Sequence, residues 1–64
     1  MSFIVQGKPR TPAGILRVIK ETRHEAMEAA IGLRDNGMAF VTIIAEGHVY
    51  TMDEFALTFL APPN

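Results

Sequence analysis

The stretch "MAFVTIIAEG" at 38–47 constrains this chain more than any other. It is nearly continuous in apolar residues and β-branched at its centre, the pattern of a strand covered on both faces. Because side chains alternate along a strand, Ala39, Val41, Ile43 and Ala45 share one face, and Phe40, Thr42 and Ile44 share the other. The first set is small enough to lie under a closely packed helix. The second is too apolar to be left in water, and a second subunit is the economical cover for it.

The helix that suits the first face precedes the strand. In "TRHEAMEAAIGLRDNG", Thr22 is placed to cap the backbone N–H of Glu25, and Glu25 to reach back to the N–H of Thr22. Ala26, Met27, Ala29, Ala30, Ile31 and Leu33 then recur on one broad arc at helical spacing. Arg23 and Arg34 also fall within that arc, near the ends, where long stems can cover apolar surface while the charged heads reach water. Asn36-Gly37 supplies the stop, so the main helix is expected over about 23–36. Before it, "SFIVQG" and "ILRVIKE" read as two strands joined by the proline- and glycine-rich loop "KPRTPAG". After the central strand, Glu46-Gly47 forms a tight turn into the short strand "HVY".

"TMDEFALTFL" repeats the capping chemistry with Thr51 and Glu54. Met52, Phe55, Ala56, Phe59 and Leu60 recur at helical spacing. A strand with Phe55, Leu57 and Phe59 on one face fits the same residues, but the cap and the first-turn Asp53 favour a short helix over about 52–60. "APPN" at 61–64 stops it. The expected fold class is therefore α+β. A single domain spans residues 1–64 in the order β-β-α-β-β-α, with a mostly antiparallel sheet and the main helix packed on one face.

With 64 residues the chain buries only roughly 60% of its unfolded surface, so its core is small. Domains of this size are commonly reinforced by disulfides, a metal or self-association. The sequence contains no cysteine and two widely separated histidines, which leaves self-association, with a homodimer as the expected form and no cofactor. No apolar run reaches the roughly 18 residues a membrane span requires. The first residues lack the basic and apolar regions of a secretory signal, so a cytoplasmic setting is expected.

Net charge is −1, which argues against a strong nucleic-acid binder. Its distribution is uneven. Lys8, Arg10, Arg17, Lys20 and Arg23 face only Glu21 within residues 1–24, whereas Arg34 alone stands against Glu25, Glu28, Asp35, Glu46, Asp53 and Glu54 within residues 25–64. The five N-terminal cations form a candidate anion-binding set, provided that the fold brings them together. His24 and Glu28 lie four apart, a two-ligand spacing that falls short of a catalytic zinc site. His48, Tyr50 and Asp53 form the one polar cluster with acid–base side-chain types, without an accompanying nucleophile or oxyanion hole. Glycine-rich phosphate loops are absent.

These features point to a small non-catalytic interaction domain, with Phe40, Thr42, Ile44, Phe55, Phe59 and Leu60 as candidate interface residues. A weak nucleic-acid or anion binder using the basic N-terminal hairpin is one alternative. A small enzyme or ligand site at a subunit interface is the other.

Overall fold

Alternating strand patterns and one tight two-residue turn build one sheet, and two capped helices cover one side of it. The computed structural model describes residues 2–11 and 14–60; the expected stop at 61–64 and part of the first loop lie outside them. The order is β1 (Phe3–Lys8), β2 (Leu16–Lys20), α1 (Arg23–Asp35), β3 (Phe40–Ala45), β4 (His48–Thr51) and α2 (Met52–Leu60). The strands form one antiparallel sheet in the order β2-β1-β3-β4, so the apolar β3 is an interior strand. The α+β class, the element order and the helix on the sheet all agree with the sequence.

Register fixes which residues face the helices. Val5 pairs with Val18 and Ile43, and Ile43 pairs with Tyr50, so these four share the covered side. Phe3, Val5, Ile43 and Ala45 from the sheet are buried with Ala26, Ala30 and Leu33 of α1 and Phe55 of α2. Three of those eight are alanines, which lets α1 lie close to the sheet but leaves little apolar volume in the core.

Both helix starts use their threonine–glutamate pairs, in different ways. At α2 the box is complete: the Thr51 N–H donates to Glu54 Oε1 at 3.0 Å, and the Glu54 N–H donates to Thr51 Oγ1 at 3.1 Å. At α1 the Glu25 N–H donates to Thr22 Oγ1, but Glu25 Oε1 accepts from the Thr22 hydroxyl at 3.1 Å instead of from the backbone N–H. That corrects half of the expected first box. The carboxylate satisfies the cap's own side chain, and the cap itself is retained.

The end of α1 is a Schellman motif. Gly37 sits at φ +94°, its N–H donates to the Arg34 carbonyl at 3.0 Å, and the Met38 N–H donates to the Leu33 carbonyl at 3.1 Å. Helix proper ends at Asp35, one residue before the expected boundary, because Asn36 is the cap. This turn brings Leu33 and Met38 down onto Gly7 of β1, where an added Cβ would stand 3.0 Å from Met38 Cγ and 3.1 Å from Leu33 Cδ1. The absence of a side chain at Gly7 is thus what seats the end of the helix on the sheet.

The β3–β4 connection has two residues, Glu46 at φ +52° and Gly47 at φ +77°. Positive φ at both central positions is the type I′ geometry that matches strand twist. Glu46 occupies it at a steric cost that asparagine or glycine does not incur. We expect Glu46→Asn to raise stability by several tenths to about 1 kcal/mol in chemical denaturation. In the same assay Gly7→Val should lower it by about 1–3 kcal/mol through overpacking against Leu33 and Met38; an unchanged midpoint would mean that the helix end can shift freely.

Candidate functional site

The interface candidates divide between the two sides of the sheet. On the helix side, Phe55 is the hub of an aromatic cluster: its ring meets Phe3 at 5.9 Å, Tyr50 at 5.5 Å and Phe59 at 5.6 Å, each edge to face. At 1% exposure it belongs to the monomer core, which removes it from the candidate interface. Periodicity placed Phe55 and Phe59 on one helical face, but Phe55 points at the sheet while Phe59 lies at the margin, with the Arg23 guanidinium 6.0 Å from its ring centre. Leu57 and Leu60 are exposed on the outer side of α2.

The polar cluster is only partly assembled. His48 and Tyr50 project from the same side of β4, their rings 4.2 Å apart and tilted by 36°. They line an open depression of about 350 Å³ with Phe3, Arg23, Ala45, Glu46, Phe55 and Thr58. The Thr58 hydroxyl donates to the Phe55 carbonyl at 2.6 Å. Asp53 is not part of the lining, so the expected trio does not converge. Arg23 and Glu46 were not associated with it from the sequence. They reach it because the start of α1 and the β3–β4 turn meet at one end of the sheet, a purely tertiary proximity.

The basic candidates do not form one patch. Lys8 and Arg17 lie on the uncovered side of the sheet, by the alternation that puts Gln6 opposite Arg17. Lys20 pairs with Phe3 on the covered side, Arg10 is on the exposed loop, and Arg23 stands at the depression. Arg17 is held in place: its Nε and Nη2 both donate to Gln6 Oε1, at 3.2 and 3.0 Å. His24 and Glu28 are exposed on α1, and among the described residues no group of three His, Asp or Glu side chains could hold a metal ion.

The uncovered side of the sheet carries the most continuous feature. Ile19 pairs with Ile4, Ile4 with Ile44 and Ile44 with Val49, so one apolar row crosses all four strands. Next to it runs a polar row of Arg17, Gln6, Thr42 and Thr51, followed by Lys8 opposite Phe40. Ile19 and Phe40 are each 64% exposed and Val49 58%, while Ile4 and Ile44 are half-buried by their neighbours. None of these ten strand residues is a carboxylate. Among the described residues no helix is long and apolar enough to cross a membrane.

Core and surface roles on α2 separate cleanly in a mutational test. Phe55→Ala should cost about 3–5 kcal/mol of stability, enough to unfold much of a domain this small. Leu57→Ser, at a site 62% exposed, should stay within about 0.5 kcal/mol. Equal losses in thermal melts would show that α2 docks differently.

No protein-family model matches this sequence, and neither a curated protein nor a solved structure does.

Proposed function

We propose that the chain is a small non-catalytic interaction domain that works as a homodimer, with the uncovered sheet face as its contact surface and the cytoplasm as its setting. The observation that carries this reading is the Ile19–Ile4–Ile44–Val49 row, unbroken across the sheet and open to solvent in the monomer. Covering it removes apolar side chains from water and adds the second packed layer that a one-sided sheet lacks. It also supplements a core in which three of eight buried residues are alanines.

Four strands about 4.8 Å apart and five residues long give a flat footprint of about 19 by 17 Å. That is about 320 Å² per protomer before side-chain relief, below the roughly 1,200 Å² total of standard stable interfaces, so the dimer should be weak and form only with rising concentration.

A second reading draws on the same face. Lys8, Arg17 and Phe40 share it without a carboxylate among the strand residues, an arrangement compatible with weak binding of a phosphate backbone and a stacked base. Titration with single-stranded RNA and DNA at two salt concentrations separates the two readings, because phosphate contacts weaken steeply with salt.

Sedimentation velocity between 1 and 100 µM, roughly, should show the dimer forming with concentration. Ile44→Glu should weaken it at least about tenfold while circular dichroism stays native, since the new carboxylate must be desolvated in the contact. Val49→Glu, at an exposed edge position, is the companion variant that cannot disturb the core. A wild-type chain that stays monomeric across this range overturns the reading.

A further inference from the structure

The depression on the helix side of the sheet has a structural cause. Phe3 and Ala45 stand one step beyond the Ile4–Ile44 pair, and Ala45 pairs with His48 on its other side. A lone methyl group between two ring side chains leaves a gap, and the start of α1 and the Phe55–Thr58 side of α2 stand around it. Phe3 and Phe55 are almost fully buried, so the apolar floor is fixed by the core.

Opposite charges line this floor without meeting. Arg23 comes from the first turn of α1 and Glu46 from the β3–β4 turn. Among the described residues neither takes part in an ion pair or a side-chain hydrogen bond. The Arg23 guanidinium lies over the Phe59 ring at 6.0 Å, a contact made through its face that leaves its N–H edge for another partner. Both residues are poor local choices. A cation in the first helical turn opposes the helix dipole. A glutamate at φ +52° holds a conformation that asparagine or glycine adopts with less strain. Two residues that local structure does not favour thus meet at one cavity, as residues kept for a site do.

We propose that the depression binds a small aromatic zwitterion, a free aromatic amino acid being the simplest, with Arg23 taking its carboxylate, Glu46 its ammonium group, and the ring lying among Phe3, His48 and Tyr50. A guanidinium fork matches a carboxylate through two parallel hydrogen bonds. Glu46 disfavours a plain anion in the same space, and Arg23 disfavours a plain amine; a ligand with both charges satisfies the pair. The ring side chains add edge and face contacts for a planar body. A volume of about 350 Å³ is near the lower limit of small-molecule pockets, which suits one amino acid better than a nucleotide. Because the depression is open, binding is weak, with a Kd on the order of 1 mM.

NMR titration of the amide shifts with phenylalanine as the probe tests the site. Saturable shifts should centre on Arg23, Ala45 and His48. Phenethylamine lacks the carboxylate, N-acetylphenylalanine the ammonium charge and glycine the ring, and each should bind at least about fivefold more weakly. Arg23→Gln should weaken phenylalanine about fivefold and leave phenethylamine unchanged. Glu46→Asn should weaken phenylalanine to a similar degree and leave N-acetylphenylalanine no weaker, while the variant itself becomes more stable, which separates lost binding from lost fold. No saturable shift up to about 20 mM phenylalanine, or analogues that bind as well as it does, overturns the site. Either result leaves the dimer reading standing, since sedimentation tests that on the opposite face.

Discussion

The direct junction between β4 and α2 governs how this domain distributes its surfaces. Thr51 is the last residue of β4 and also the cap of α2, so no linker exists that could carry the helix around the sheet edge. The helix must turn back on the side where Tyr50 already points, and Phe55 meets that ring within the first turn and a half. Since α1 reaches the same side through Gly7 and Leu33, both helices cover one face of the sheet. The opposite face is left with apolar side chains that neither helix covers.

This one-sidedness places competing demands on the same small chain. Phe55 concentrates three aromatic contacts on one ring, which compensates for the alanines that α1 needs to approach the sheet. Charged groups contribute little to that balance: the single ion pair among the described residues, Arg34 with Asp35 at 3.7 Å, is exposed on both sides and adds next to nothing. Stability therefore depends on apolar area, and apolar side chains still stand open on the uncovered face of the sheet and on the outer side of α2. The interaction reading and the small core are two consequences of the same shortage.

Much of the architecture was legible because its signals are local. Thr22 and Thr51 announce helix starts within three residues, Gly37 a stop, and Glu46-Gly47 a two-residue turn. The alternation in "FVTIIA" correctly divided β3 into a covered and an uncovered face. Partner choice was not legible, because it is decided by residues distant in sequence. Nothing near Gly7 indicates that Leu33 and Met38 will descend on it, and nothing in helical period separates Phe55, which is buried, from Phe59, which is not. The basic residues illustrate the same limit. Their clustering in sequence suggested one patch, and the strand alternation with the turn into α1 scattered them over the loop and both sides of the sheet.

Placing the polar residues also changes what each can do. His48 and Tyr50 gain Arg23 and Glu46 as neighbours around an open depression, yet Asp53, the carboxylate nearest in sequence, points elsewhere because it belongs to the first turn of α2. A first-turn aspartate serves the helix dipole, as Glu54 serves the cap. Arg17 moves in the opposite direction. In the sequence it was one of five cations; in the fold it is a guanidinium fixed by Gln6 at the border of the apolar row. A fixed charge beside an apolar surface selects orientation, since it penalises every docking that leaves it unpaired or beside its own kind. An apolar row alone carries no such preference, so any orientation on this face rests on the polar residues at its border.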